Sequence, residues 1–147
     1  MSTSPLKNFD RLVRFALEGI PQNELKSTWF YVTGADDGLT RQAIPELQKA
    51  VIAYPDVQVI KAERITYWWP NAVTKGSSAK IVYKEQSHKF KIKNNKRSFS
   101  QLLRGKRSWF SMPFLYTGTF IRADLLSEMF SADVFYNSQN PDIYSMC

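Results

Sequence analysis

In residues 29–39 the chain reads Trp-Phe-Tyr-Val-Thr-Gly-Ala-Asp-Asp-Gly-Leu. The first five residues have high β propensity, and the small and acidic residues that follow are typical of a turn. A strand that ends in adjacent carboxylates can hold a hard cation, because Mg²⁺ and Mn²⁺ prefer one or two carboxylates together with substrate phosphates. We therefore predict a metal site at Asp36 and Asp37. The alternative is that Asp-Asp-Gly only closes the turn.

A β-α-β unit is predicted around this stretch. Apolar residues at helical spacing indicate one helix over 8–19, capped by Asn8, and a second helix over 44–54. A short apolar strand follows at 57–60. Because strand, helix and strand follow one another, we expect strands 28–33 and 57–60 to form a parallel pair with a right-handed crossover.

The rest of the chain continues this α/β pattern. Alternating apolar residues predict a strand over 65–69 and a β-hairpin built from 79–84 and 88–93. Ser98 is the predicted cap of a short helix that ends near Leu103. The remaining predicted elements are a strand over 114–121, a helix over 123–130, a short strand over 134–136 and a helix start at Asn140-Pro141-Asp142.

Positive charge is concentrated in the middle of the chain. The net charge is +7, made up of −1 in residues 1–60, +11 in residues 61–110 and −3 in residues 111–147. Such a cluster favours anionic partners, and we predict that residues 75–107 bind nucleic acid or an anionic membrane surface. The alternative is a solvated, lysine-rich hairpin and loop.

Composition excludes several kinds of protein. The 147 residues correspond to one domain, and 44% apolar residues suffice for a core. Cys147 is the only cysteine, so an internal disulfide and a cysteine zinc cluster are excluded, and His88, the only histidine, is expected on the hairpin surface. The chain shows neither a secretory signal pattern nor an apolar run long enough for a membrane span, which favours a cytoplasmic location.

The order of these pieces resembles the family 2 glycosyltransferases of the GT-A type. The resemblance is carried by six pieces: a helix opened by asparagine, a Trp-led strand that reaches an acidic cluster, the next helix and strand, a Pro-Phe-Leu-Tyr-Thr-Gly strand, an arginine followed by a helix, and an Asn-Pro-Asp-Ile-Tyr-Ser element. These pieces are, in order, Asn8–Gly19, Trp29–Leu39, Ile44–Ile60, Pro113–Gly118, Arg122–Phe130 and Asn140–Ser145. The resemblance implies a partial GT-A-like (Rossmann-like) mixed sheet with flanking helices, into which the basic hairpin is inserted.

The resemblance also implies roles for particular residues. Asp36 and Asp37 would hold Mn²⁺ or Mg²⁺ against the diphosphate of a nucleotide-sugar, and Asp142 would be the general base for an acceptor hydroxyl. Trp68 and Trp69 would offer a face for a sugar ring. Two alternatives stand beside these roles. Asp142 could serve only as a helix cap, and one of two adjacent tryptophans in a strand is expected to face a core.

The match lacks the nucleotide-binding half that precedes the acidic motif in this family. Only 35 residues precede Asp36 here, and Ala35 stands where many relatives have another aspartate. We therefore expect a single domain (1–60 core, 61–110 basic segment, 111–147 strand-helix-strand) that is a truncated or inactive glycosyltransferase and forms a homodimer. If active, it would transfer sugar to a glycan or lipid-linked acceptor, peripherally at the membrane. The alternative function is a non-enzymatic basic binding module.

Overall fold

The computed structural model describes residues 5–34, 37–63, 65–70, 79–82, 90–108, 112–113 and 118–130. Within these ranges the protein is a mixed α/β structure with four α-helices and two small antiparallel sheets. The elements are, in chain order, α1 (Pro5–Glu18), a 3₁₀ turn (Gln22–Glu24), β1 (Trp29–Tyr31), α2 (Ala43–Ala53), β2 (Val59–Lys61), β3 (Thr66–Trp68), β4 (Lys80–Val82), α3 (Asn95–Leu103), β5 (Thr119–Arg122) and α4 (Ala123–Met129).

The larger sheet has the order β1-β5-β2, and β5 is antiparallel to both neighbours. β1 and β2 therefore run in the same direction, as expected, but the prediction that they pair directly was wrong. The unit β1-α2-β2 is split, since the late strand β5 lies between its two strands. The prediction rested on residues that are close together in sequence, whereas β5, the strand that pairs with β2, lies about 60 residues further along the chain.

The main core lies on one face of this sheet. Phe30 and Val59 lie on either side of Ile121, and α1 and α4 cover this row. The buried members of the cluster are Val13, Ile121, Leu126 and Phe130. On the other face, the ring of Tyr31 packs against Phe120 with centroids 4.9 Å apart. β5 is thus buried on both faces, as befits a central strand.

An arginine joins the first helix to the last. The Nη1 atom of Arg14 donates to the carbonyl oxygen of Phe130 at 2.8 Å, and its guanidinium lies 5.2 Å from the centre of the Phe130 ring. Arg14 Nε also pairs with Asp10 one turn earlier, at 2.8 Å.

Helix α1 begins at Pro5, so Asn8 lies inside it and the expectation that Asn8 opens the helix was wrong.

The basic segment differs most from its prediction. β4 pairs with β3 in the register Thr66↔Val82, Tyr67↔Ile81 and Trp68↔Lys80. The predicted partner strand over 88–93 is not formed in its described part, residues 90–93. α3 begins four residues earlier than predicted, because Asn94 and not Ser98 is its cap, with Asn94 Oδ1 accepting from the backbone N–H of Arg97 at 3.0 Å.

The C-terminal predictions are only partly covered. The helix predicted over 123–130 is confirmed, and the strand predicted over 114–121 is described from Gly118 onwards, where β5 begins at Thr119. The strand predicted over 134–136 and the helix start at 140–142 lie outside the described residues.

Candidate functional site

One end of the larger sheet gathers the segments that the sequence singled out. Tyr31, the last residue of β1, is opposite Phe120, and Lys61, the last residue of β2, is opposite Thr119. Both strands therefore finish where β5 begins, and we call this end the carboxyl end of the sheet. The turn that contains Asp36 and Asp37 follows β1 here, and the tryptophan-bearing strand β3 follows β2. The carboxyl ends of strands are common places for ligands in open α/β sheets.

Local geometry holds this end together. Gly118, where the chain enters β5, has a φ of 96°, a conformation that favours glycine. Its N–H donates to the hydroxyl of Tyr31 at 3.2 Å, while its carbonyl oxygen accepts from the N–H of Ala62 at 2.8 Å. The ends of β1 and β2 are thus both bonded to the same glycine.

The acidic turn is described at one of its two aspartates. Asp37 is exposed, and its Oδ2 accepts from the N–H of Gly34 at 3.4 Å while its own N–H donates to the Gly34 carbonyl oxygen at 3.3 Å. This closed turn is the alternative that the sequence left open, and it leaves the carboxylate at the surface. Asp36 lies outside the described residues.

The two tryptophans differ in exposure. Trp68 is half-buried and Trp69 is 61% exposed. The ring of Trp69 contacts Tyr67 edge-on, with centroids 5.0 Å apart and planes at 80°. Of the pair, Trp69 therefore presents the larger accessible ring.

The remaining predicted site residue, Asp142, lies outside the described residues, as does His88. In the part of the chain that is described, no group of three or more His, Cys, Asp or Glu side chains could hold a metal ion. A site made of two carboxylates and substrate phosphates is smaller than such a group, and carboxylate oxygens are suitable donors for Mg²⁺ or Mn²⁺.

Sequence reasoning missed a largely buried ion pair at the opposite end of the sheet. Arg122 and Asp124, whose side chains are 11% and 16% exposed, form two parallel hydrogen bonds of 2.8 Å, Nε to Oδ1 and Nη2 to Oδ2. Arg122 Nη1 also donates to the carbonyl oxygens of Pro55 at 3.0 Å and Val57 at 3.4 Å. Gln58 Nε2 donates to Asp124 Oδ2 at 3.4 Å.

The contact between Arg122 and Asp124 changes the pKa of both side chains. The hydrogen bond from Arg122 lowers the pKa of Asp124 below its ordinary value, although partial burial acts in the opposite sense. The same bond raises the pKa of Arg122. All its partners belong to the turn before β2 and to the start of α4, so this cluster fixes the fold at the end of the sheet remote from Asp37. No local signal could have revealed it, because Gln58 and Arg122 are 64 positions apart.

Comparison with protein-family models, with curated protein sequences and with solved structures gave no match. Among the described helices, none combines the length and the apolar character needed to cross a lipid bilayer.

Proposed function

We propose that this protein is a glycosyltransferase of the GT-A type, which transfers a sugar from a nucleotide-sugar to an acceptor hydroxyl. One observation carries the proposal: the acidic turn after β1 and the tryptophan strand after β2 leave the sheet at the same carboxyl end. The residues that the resemblance assigns to the metal and to a sugar ring thus follow, along the chain, two strands that end on the same side of the sheet. The finer assignment of the sheet as GT-A-like is part of this proposal.

The residues would divide the chemistry as follows. Asp36 and Asp37 would hold Mg²⁺ or Mn²⁺, which neutralises charge on the departing diphosphate. Asp142 would accept the proton of the acceptor hydroxyl as that oxygen attacks the anomeric carbon. The bond from that carbon to the diphosphate breaks on the opposite side, so the configuration inverts. Trp69, the more exposed tryptophan, is suited to pack against the sugar ring.

Donor binding is tested by thermal unfolding, which needs no turnover. A ligand at about 100 times its Kd adds about 2.7 kcal/mol to the stability of the state that it binds. For a chain of this size, we therefore expect Mn²⁺ with uridine or guanosine diphosphate to raise Tm by about 5 to 10 °C. The nucleotide without metal should leave Tm unchanged.

Variants locate the effect. The double variant Asp36→Asn/Asp37→Asn should lose the shift, whereas Asp56→Asn, an exposed aspartate in the turn before β2, should keep it. Asp142→Asn should keep the shift and lose sugar transfer. No shift in the parent protein, or an equal shift in the double variant, contradicts the proposal.

A second candidate function is the binding of single-stranded nucleic acid without catalysis. Basic side chains in and around α3 favour it, since all of them are exposed: Lys91, Lys93, Lys96, Arg97, Arg104, Lys106 and Arg107. If five phosphates are contacted, affinity for a labelled oligonucleotide should fall about a hundredfold between 50 and 200 mM salt. An affinity that does not change with salt excludes this function.

A further inference from the structure

The two-stranded ribbon β3–β4 has one face made of large apolar side chains. Tyr67 and Ile81 are directly opposite each other in the register and so lie on the same side. Trp69, two residues after Tyr67, joins them through its ring contact, and Ile65 precedes Tyr67 by the same spacing. We call these four residues the ribbon face. Their exposed fractions are 52% for Ile65, 44% for Tyr67, 61% for Trp69 and 65% for Ile81.

Such a face needs an explanation. Single exposed apolar residues are ordinary on protein surfaces, but a contiguous group marks a site of interaction. Tyr and Trp have an apolar body with a polar tip, and they are enriched where protein meets the boundary between lipid headgroups and acyl chains. The composition of the ribbon face therefore fits a surface that is apolar at depth and polar at its rim.

The positive charge of this part of the chain favours an anionic partner for the ribbon face over a second copy of the protein. In the described part of residues 61–108, nine basic side chains are exposed against one acidic side chain, Glu63. Two of the nine border the ribbon face in sequence: Lys80 precedes Ile81, and Lys61 lies four residues before Ile65. Pairing with a second copy through this face would bring two strongly basic segments together, which costs repulsion. An anionic surface instead gains attraction, within about 10 Å at ordinary salt.

The orientation of the two aromatic rings and the two isoleucines favour lipid over single-stranded nucleic acid as the partner of the ribbon face. Because Tyr67 and Trp69 meet edge-on at 80°, their rings do not form one continuous platform on which successive bases could stack. Half of the ribbon face is isoleucine, which offers no stacking surface but gains free energy when it leaves water. These features favour an apolar phase over a row of bases.

We propose that the ribbon face docks on membranes that contain anionic lipids, with its four apolar side chains inserted at the headgroup–acyl boundary and exposed basic side chains of the same segment of the chain at the lipid phosphates. This interaction requires neither the acidic turn nor a nucleotide. Trp69 belongs to both proposals, but sugar transfer also needs the acidic turn and a nucleotide-sugar, so vesicle binding without nucleotide tests docking separately from sugar transfer.

Sedimentation with lipid vesicles tests the proposal on the full chain. The protein should sediment with vesicles of phosphatidylcholine containing one-third phosphatidylglycerol and stay in solution with phosphatidylcholine alone. The variant Trp69→Thr/Ile81→Thr places threonine, which has high β propensity, at both positions and should bind about tenfold more weakly or worse. The matched control is Ile52→Gln, which removes an 81% exposed isoleucine from α2 and should bind like the parent.

A second measurement reports insertion directly. Brominated acyl chains quench tryptophan fluorescence on contact, and the quenching should be smaller for Trp69→Phe than for the parent chain, which has four tryptophans. The proposal is overturned if the parent ignores anionic vesicles or if Ile52→Gln weakens binding as much as the ribbon variant. It is also overturned if the ribbon variant binds normally, loses oligonucleotide affinity instead, or turns a dimer into a monomer in light scattering.

Discussion

At the scale of single residues, the strongest polar interactions of the described residues fix the fold and do not involve Asp37. Arg122 ties α4 to the turn before β2 through Asp124 and two carbonyl oxygens. Asp37, by contrast, is exposed and bonded to the neighbouring Gly34. The turn around Asp37 could be predicted from the sequence, because the hydrogen bonds that close it join residues only three positions apart. The Arg122 cluster could not, because its members meet only through the β2–β5 pairing.

The variant Asp124→Asn tests how much the Arg122 cluster contributes to the free energy of unfolding. Arg122 would keep its buried charge and lose its carboxylate, so the free energy of unfolding should fall by roughly 1 to 3 kcal/mol at pH 7. Urea unfolding measures this change. Glu63→Gln, which removes an exposed carboxylate from the loop after β2, is the control and should change stability by less than about 0.5 kcal/mol.

The pH dependence of the same pair has a definite sign. The pKa of Asp124 is lowered in the folded state, so the unfolded chain takes up the proton first. Its stabilisation is fully present above the ordinary aspartate pKa of about 3.9 and is lost as the pH falls through the lower folded value. The difference between the parent and Asp124→Asn should therefore shrink towards zero in acid. A constant difference across this range would assign the effect to packing.

Removing one buried hydroxyl group should raise the stability of the protein instead of lowering it. Thr119 is 1% exposed, and its Oγ1 has no hydrogen-bond partner among the described residues. Thr119→Val keeps the shape and removes the unsatisfied group, so stability should rise by about 1 kcal/mol. Thr66→Val, at an exposed position of β3, is the control and should change little. A loss of stability in Thr119→Val would show that the hydroxyl is bonded in solution.

At the scale of elements, helices and strands could be predicted from local pattern, and their pairing could not. The helices over 44–54 and 123–130 were predicted within one residue at each end, since apolar spacing and flanking prolines or turns are local signals. The hairpin failed because 79–84 had two strand-like neighbours, and alternation does not say which one it joins. The structure selects β3, where Tyr67 meets Ile81.

The cap of α3 yields a prediction for one element. Asn94→Ala removes the acceptor of the Arg97 N–H and should cost about 1 kcal/mol. Asn94→Asp keeps the acceptor and adds a negative charge beside Lys96 and Arg97 at the positive end of the helix, so it should match or exceed the parent. Thermal unfolding followed by circular dichroism compares the three proteins. Equal loss in both variants would contradict a capping role.

At the scale of the whole molecule, stability and interaction surface are separated. β5 has a hydrogen-bonded strand on each side and is buried on both faces, while β3 and β4 pair only with each other among the described strands and expose the ribbon face. Elements with few buried contacts open at lower free energy than a core strand. The ribbon that we propose to meet a membrane is thus separate, among the described elements, from the sheet that carries the core cluster.

Hydrogen–deuterium exchange tests this separation. Amides of residues 119–122 should exchange last, near the rate set by global unfolding, and those of 66–68 and 80–82 much earlier. Anionic vesicles should slow exchange in the ribbon and leave β5 unchanged, because docking adds contacts only where the ribbon face meets lipid. Trp69→Thr/Ile81→Thr should remove that protection without altering β5. Equal exchange of the ribbon and β5 in the free protein would instead mean that both sheets open as one cooperative unit, and the ribbon could then not be altered independently of the core.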